Sequence, residues 1–517
     1  MRDLDRLAGS YLDLLWHFDP AAASAAGFVS TDGRLGQFDA EAMRTHLAAF
    51  RATTAAIEEL EIEELADEID RTALLEDVRA TIARLDEDRP HIRDPGFWLT
   101  HLVDALAALM VRPADDAVPD QRAQAAAERI AAIPPFLDSA RGVLHRPPVL
   151  LVDGALRLLG PLGELLVHAA TVFGNRAPGG PEALNRSVAA ALQALTRFGH
   201  WLRAEVEPEP SIATAVLGAA RFERRLNHRF AVRSSPVKLW RYAAQLMAET
   251  EARLAAETAH LDPARDWREV VAGLEQGRRE AVAAVRGEIE RARAFLRERG
   301  FGDVPAAGPD VVAPPAALSA LLPPLTYLPG VARLLVAPGH QTRFSLPTLV
   351  VGAALPGRHL QEMAARATGS EVRRRLRATI AVEGWALYAE ELMEELRFAA
   401  APETRLVRLA WLLRAAAALA ADVGVHTRDV TPADAVALLV DRAALGRAAA
   451  EAQVRHIVAH PTDSVAAAVG RREILALRAA AGAKADDTAG LARFHRALLG
   501  FGALPPGLAG WGMGIER

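Results

Sequence analysis

Hydrophobic and polar positions repeat with a helical period along most of this chain. Segments 46–85, 186–206 and 239–261 place apolar residues three and four positions apart and charged residues on the opposite face. Alanine, the strongest helix former, is abundant in all three. No run of alternating strand-like segments interrupts the pattern. It therefore predicts a mostly α-helical protein with little or no β structure.

One segment breaks the periodicity. Residues 301–330 contain many prolines, which prevent long helices, yet they are too apolar for a free linker. We expect them to run over packed surface between an N-terminal helical lobe, 1–300, and a C-terminal helical lobe, 301–517, of one integrated domain. The following residues, 331–350, are the place where a short strand or hairpin is expected.

Composition excludes several classes of function. The 517 residues carry a formal net charge of -5 and no cysteine. A mildly acidic chain lacks the basic surface that nucleic acids bind, and disulfides, thiolate nucleophiles and cysteine metal sites are ruled out. No apolar run reaches the roughly 20 residues that span a bilayer. The first 20 residues resemble an amphipathic helix more than a signal peptide, so we expect a cytoplasmic protein that binds neither nucleic acid nor membrane.

Two motifs lie close together in the C-terminal half. The first is PGRHLQ at 356–361 and the second is EGWALYAEEL at 383–392. They resemble the signatures H-E-A-x-P-G-H-H-L-Q and E-G-W-A-x-Y-x-E of the bacterial family known as domain of unknown function eight-eight-five. The segments at 421–426, 460–478 and 494–505 extend the resemblance over nearly the whole chain.

The resemblance implies a helical zinc peptidase of the Glu-zincin type, with two lobes around a deep central cleft. In that family the first histidine, one of the later histidines and the glutamate of E-G-W-A would bind the metal. The glutamate beside the first histidine would be the general base. A catalytic zinc needs about three such ligands and an open position for the water that it activates.

This chain departs from the pattern at the residues that the chemistry requires. Gly352 stands at the first histidine, Ala353 at the general base and Arg358 at the first histidine of the closing pair, while His359 and Glu383 are retained. Glycine and alanine offer no atom to zinc or water. We therefore expect no zinc peptidase activity, no metal and no cofactor. Our hypothesis is that an Arg358–Glu383 ion pair replaces the metal. Two further departures are Ala467 at a tyrosine position and Ala418 at a frequent arginine position.

The retained polar residues form the candidate site. The cleft is expected to be lined by helices carrying 352–361, 383–394 and 414–426. The predicted catalytic residues are His359, Glu383, Arg358, Asp422 and His426, and the predicted substrate-binding residues are Tyr388, Trp385, Gln361 and Tyr327. Most of the four acids that follow Glu383 are expected to lie on a solvated helix face: Glu390, Glu391, Glu394 and Glu395.

Simpler interpretations compete with these assignments. His359 can be a core histidine bonded to a carbonyl group, and Trp385 and Tyr388 can be packing residues. Asp422 and His426, one helical turn apart, can form a hydrogen-bonded pair or a salt bridge at a helix end.

Two classes of function follow from this site. The first is a repurposed, metal-independent enzyme that acts on a small molecule, for example in specialised metabolism. The second is a non-catalytic pseudopeptidase that binds a peptide or a partner protein, and a residual metallohydrolase ranks third. A cavity of small-ligand size containing His359 favours the enzyme, whereas a large exposed apolar patch favours a binding protein. A homodimer is left open.

Overall fold

The protein is mostly helical, as its periodicity predicts. A computed structural model describes residues 3–113, 119–277, 280–319, 321–339 and 341–515. The helices of the first half are α1 (Asp3–Phe18), α2 (Pro20–Ala25), α3 (Ala40–Glu58), α4 (Leu65–Ala83), α5 (Pro90–Arg93), α6 (Pro95–Val111), α7 (Pro119–Val143), α8 (Val149–Phe173), α9 (Gly180–Ala204), α10 (Ala219–Phe230), α11 (Pro236–Leu261), α12 (Trp267–Glu275) and α13 (Val282–Glu298). Those of the second half are α14 (Ala316–Ser319), α15 (Leu346–Ala353), α16 (Arg358–Arg366), α17 (Glu371–Arg375), α18 (Thr379–Glu395), α19 (Pro402–Thr427), α20 (Pro432–Asp441), α21 (Arg447–Ala459), α22 (Ala466–Ala480), α23 (Thr488–Leu499) and α24 (Pro506–Gly512).

The proline-rich segment and its continuation contain a small sheet. Its strands are β1 (Asp310–Val312), β2 (Leu325–Leu328) and β3 (Arg333–Val336), in the order β1-β3-β2. Strand β3 pairs antiparallel with β2 and parallel with β1. The hairpin expected near 331–350 thus exists, but it begins earlier than predicted. Prolines at 323 and 324 precede β2 and do not interrupt it.

The long periodic segment 46–85 is divided between two helices and a short π-helical turn. Helix α3 ends at Glu58 and α4 begins at Leu65. The break contains the acidic stretch ELEIEE, in which like charges would repel one another across each helical turn. Hydrophobic periodicity alone did not detect this interruption.

The hydrophobic core continues across residue 300. Buried residues of α10, α11 and α12, including Phe222, Leu246 and Val271, belong to the same cluster as buried residues of α19 and α21, such as Leu413 and Ile457. The longest helices of the two halves, α11 and α19, pack directly on each other. This shared core holds the C-terminal motifs against N-terminal helices.

Helices α18 and α22 cross at a pair of glycines. A β-carbon on Gly384 would lie 2.5 Å from the carbonyl carbon of Gly470, and one on Gly470 would meet the backbone oxygen of Ile380. Only residues without a side chain allow this approach. Gly384, the glycine of EGWA, therefore allows the backbone of α18 to pack directly against that of α22.

We expect Gly384→Ala to destabilise the protein by about 1–3 kcal/mol or more, because the obstruction is backbone that cannot rotate away. Urea unfolding measures the change. Gly287→Ala is the matched control, since Gly287 lies in α13 with open space around its β-carbon position. It should stabilise the protein by about 0.5–1 kcal/mol. Equal effects of the two substitutions would contradict the close crossing.

Candidate functional site

The first motif forms a tight connection between α15 and α16. Helix α15 ends at Ala353, and α16 begins at Arg358. The buried indole of Trp385 donates to the carbonyl oxygens of Pro356, at 2.8 Å, and Gly357, at 3.2 Å. Trp385 thus links the first motif to α18 by hydrogen bonds within the core, which agrees with its interpretation as a packing residue.

Arg358 and Glu383 form the hypothesised ion pair. Nη2 of Arg358 donates to Oε2 of Glu383 at 2.5 Å. The two side chains are 27% and 36% exposed, so Glu383 is less buried than the sequence suggested. A pair this accessible to water contributes at most about 1 kcal/mol to stability. The pair matters for chemistry more than for stability, because the guanidinium of Arg358 binds the carboxylate that the resemblance assigns to zinc.

Glu390, expected on a solvated face, is directed inward. Its Oε2 is buried without a hydrogen-bond partner, and its Oε1 lies 2.7 Å from the position of a β-carbon on Gly352. Burial raises the pKa of Glu390 to about 8, although the charges of Arg408 and Arg358 oppose the shift. Glu390 is therefore largely protonated at neutral pH.

The other three acids of that run, unlike Glu390, are paired with arginines. Glu391 accepts two hydrogen bonds from Arg471, at 2.6 and 2.7 Å. Glu394 pairs with Arg408, and Glu395 lies 2.8 Å from Nη1 of Arg478. The solvated-face interpretation holds for Glu395, which is exposed, but not for Glu391 and Glu394, which are half-buried. The arginines that cover this face come from α19 and α22, whose approach to α18 is a tertiary feature.

His359 faces away from the ion pair. Its Nε2 lies 3.2 Å from the carbonyl oxygen of Ala307, and its Nδ1 lies 3.0 Å from the hydroxyl of Tyr327. A carbonyl oxygen only accepts, so Nε2 carries the proton and the tyrosine donates to Nδ1. Burial lowers the pKa of His359. The ring is thus a neutral histidine with both nitrogens engaged, and Tyr327 is its partner.

The residues present do not fit a zinc ion. Glu383 is engaged by Arg358, and both nitrogens of His359 have other partners. Within the described ranges, no group of three or more histidine, aspartate and glutamate side chains is arranged to hold a metal. Zinc normally needs about three such ligands.

Asp422 and His426 do not form the hydrogen-bonded pair considered above. Nε2 of His426 lies 3.9 Å from Oδ1 of Asp422 and bonds instead to the carbonyl oxygen of Ile457 at 3.0 Å. The carboxyl group of Asp422 accepts from the backbone amides of Thr462 and Ser464, both at 3.1 Å. Burial raises the pKa of Asp422 to about 7 and lowers that of His426 to about 4. Both side chains are fully buried and position the connection that precedes α22.

Two other predicted binding residues are held inside the core. The amide of Gln361 donates to the carbonyl oxygen of Ala381 at 3.2 Å. The hydroxyl of Tyr388 lies 2.7 Å from Nε2 of His495. Sequence reasoning did not single out His495, although it belongs to the segment 494–505 that carries part of the resemblance.

A cavity of about 870 Å³ lies beside these histidines. We call it the histidine cavity, bounded by residues 301–308, one face of α16 and helix α23. Both His359 and His495 are in its wall, and an exposed pair, Asp303 and Arg496, lies at its edge with 3.1 Å between the charged atoms. Its apolar wall includes Phe301, Pro305, Leu360, Met363, Ala364 and Leu499.

Comparison with known families agrees with the motifs. The family model described as bacterial protein of unknown function (DUF885) matches residues 20–509. The chain belongs to this family. The resemblance drawn from PGRHLQ and EGWALYAEEL is thereby confirmed. None of the curated proteins matches the sequence.

Two solved structures share the fold over the full length. A "putative lipoprotein of unknown function" from Shewanella oneidensis is 19% identical, with a TM-score of 0.78 and coverage of 99% of this chain and 100% of that chain. A "putative lipoprotein" from Colwellia psychrerythraea is 16% identical, with a TM-score of 0.83 and 99% coverage of both chains. At these identities the similarity establishes the fold alone.

The descriptions of the two neighbours bear on location. Both name lipoproteins, which does not agree with the cytoplasmic location expected for this chain. Among the helices of the described ranges, none is long and apolar enough to cross a bilayer.

Proposed function

We propose that this chain is a zinc-independent family member that binds a small, largely apolar molecule in the histidine cavity and has no zinc peptidase activity. The observation that carries the proposal is the Arg358–Glu383 contact of 2.5 Å at the predicted metal position. The contact engages the carboxylate that would bind zinc. Separately, Ala353 stands at the base position and offers no group that could activate water.

Glu390 supports the loss of a metal ligand. Histidines that bind metals usually donate their second ring N–H to a carboxylate. Glu390 lies beside Gly352, where the family carries its first histidine, and has a buried oxygen without a partner. An unpartnered carboxyl group is what remains when such a histidine is replaced by glycine.

The histidine cavity supports the small-molecule part of the proposal. Its volume of about 870 Å³ falls within the range of about 300–1,000 Å³ that is typical of small-molecule sites. Its wall combines apolar side chains with a few buried polar groups, His359 among them. This is the feature that favours a small molecule over a protein partner.

The buried imidazoles favour positioning of a ligand over proton transfer. Burial lowers the pKa of His359 and lowers that of His495 to about 3. A general base works best with a pKa near the working pH, so both rings are weak bases at neutral pH. A metal-independent reaction on the bound molecule, the enzymatic function expected from the sequence, stays a prediction.

The surface gives little support to the pseudopeptidase alternative. Large exposed apolar side chains in the described ranges are distributed over several helices and loops, whereas an interface is marked by a contiguous apolar patch. They are Val29, Leu65, Val149, Val167, Val172, Val237, Leu261 and Trp511.

A cavity-filling substitution tests the proposal. Ala364 lines the histidine cavity on α16, so Ala364→Trp should occupy part of it and weaken binding by about ten-fold or more. Ala256→Trp, on an exposed face of α11, is the matched control. Native mass spectrometry and organic extraction of the purified proteins, followed by thermal-shift titration of the molecules recovered, compare the three proteins.

The expected result is a small molecule that binds the parent and the Ala256→Trp variant but not Ala364→Trp. Equal binding by Ala364→Trp would exclude the cavity as the site. Hydrolysis of peptides that depends on added zinc would contradict the proposal as a whole.

A further inference from the structure

A second, polar cavity of about 340 Å³ lies between the N-terminal helices and the residues that precede α22. We call it the arginine cavity, since three arginines reach it: Arg84, which follows α4, and Arg225 and Arg229 of α10. None of these residues belongs to the motifs that carry the family resemblance. The guanidinium groups are close enough that each influences the pKa of another.

Two of the three arginines have carboxylate partners. Arg225 pairs with Asp88, and Arg229 pairs with Asp463. Arg229 also lies 3.5 Å from the hydroxyl of Thr379, the first residue of α18. These pairs balance two positive charges within the wall of the cavity.

The side chain of Arg84 forms neither a hydrogen bond nor an ion pair in the part of the chain that the structure describes. Arg84 is exposed to solvent and lies in the wall of the arginine cavity. Arginine stays charged under all ordinary conditions, so an unpaired cation projects into a space that can hold a ligand.

The other acidic residues of the cavity wall, Asp77 and Asp94, limit the negative charge that a bound ligand can carry. Burial raises the pKa of Asp77, whose carboxyl group accepts a hydrogen bond of 2.7 Å from Tyr11. Burial also raises the pKa of Asp94 to about 6. At neutral pH Asp94 is still mostly ionised, so Asp88, Asp463 and Asp94 together balance the three arginines and the wall carries no excess positive charge. Such a wall suits a single carboxylate at Arg84 better than a phosphate dianion.

We propose that the arginine cavity binds a small monocarboxylate, with Arg84 as the residue that receives its carboxylate group. Guanidinium and carboxylate match in a two-pronged, charge-assisted hydrogen bond. The apolar part of the wall, Phe97, Pro90 and Ala459, leaves room for a short carbon skeleton. The volume is near the lower limit of small-molecule sites, so the ligand is small.

Calorimetric titration of the whole protein with acetate, N-acetylglycine, succinate and inorganic phosphate tests the site. At least one monocarboxylate should bind the parent protein, and Arg84→Met should weaken that binding by about ten-fold or more. Arg84→Lys keeps the positive charge but loses the paired N–H donors of the guanidinium, so it should bind the monocarboxylate with intermediate strength. Arg89→Met is the control, since Arg89 is exposed and outside the cavity wall.

Thermal unfolding gives an independent readout. Arg84→Met removes no hydrogen bond and relieves repulsion with Arg229, so its Tm without ligand should equal or exceed that of the parent. Added monocarboxylate should raise the Tm of the parent and of Arg89→Met most, that of Arg84→Lys less and that of Arg84→Met least. Absence of monocarboxylate binding, unchanged binding in Arg84→Met, or tighter binding of phosphate or succinate than of every monocarboxylate would each overturn the proposal. None of these outcomes depends on the histidine cavity.

Discussion

Replacing Glu390 with glutamine should make the protein more stable than the parent at pH 9 and leave it similar at pH 5. Burial raises the pKa of Glu390 from 4.5 to about 8. A shift of that size corresponds to about 5 kcal/mol of preference for the protonated form. Glutamine is uncharged at every pH and has nearly the same shape as the protonated acid.

The sign follows from proton binding in the two states. Between about pH 4.5 and 8 the folded protein keeps the proton of Glu390 while the unfolded chain releases it. The stability of the parent therefore falls as the pH rises through this window, by up to about 1.4 kcal/mol per pH unit from this group. Urea unfolding at a series of pH values should show this slope in the parent and its loss in Glu390→Gln.

The adjacent acid provides a control of opposite sign. Although burial opposes it, Arg471 lowers the pKa of Glu391 through hydrogen bonds and charge. Glu391 therefore stabilises the folded state above its unfolded pKa, and that stability is lost as the pH falls. Glu391→Gln should destabilise the protein at pH 7 to 9 by about 1–3 kcal/mol. If Glu390→Gln were less stable than the parent at pH 9, Glu390 would not be a buried, protonated carboxyl group.

Restoring three family residues should create a zinc site. The variant Gly352→His, Ala353→Glu, Arg358→His returns two histidines and the base to the first motif and releases Glu383 from its arginine. The group that a new side chain at Gly352 meets is the end of the flexible Glu390 side chain, which can rotate and accept from the new imidazole. We expect about one zinc ion per chain, against none in the parent.

Two controls separate a designed site from adventitious metal. Arg358→His alone should bind no stoichiometric zinc, because it supplies one new ligand at most. Adding Glu383→Gln to the triple variant should abolish zinc binding without changing the helix content measured by circular dichroism. Metal analysis after dialysis measures all four proteins. Zinc retained without Glu383 would contradict its assignment as a ligand position.

The sequence predicts much of the fold because helical periodicity is a local property. It also predicts the Arg358–Glu383 pair, since an arginine and a glutamate occupy positions that the resemblance brings together. The direction of His359 is not predictable in this way. Adjacent helix residues point about 100° apart, so Arg358 faces α18 while His359 faces Tyr327 and the cavity.

Long-range partners account for most of the remaining differences. The four-residue spacing of Asp422 and His426 suggests a local pair, but the hydrogen bonds of Asp422 come from the backbone amides of Thr462 and Ser464. The acids after Glu383 resemble an exposed helix face until the arginines of α19 and α22 are placed beside them. No sequence pattern singles out Arg84, because only the structure shows that its side chain has no hydrogen-bond or ion-pair partner in the described residues.

The most direct test of a zinc-independent protein is its metal content as purified. The protein should be produced in zinc-supplemented medium, purified without metal-affinity resin or chelator, and analysed for zinc against protein concentration. We predict a ratio near zero, because Glu383 is engaged by Arg358 and Gly352 offers no ligand. A ratio near one zinc per chain that survives dialysis would contradict the account.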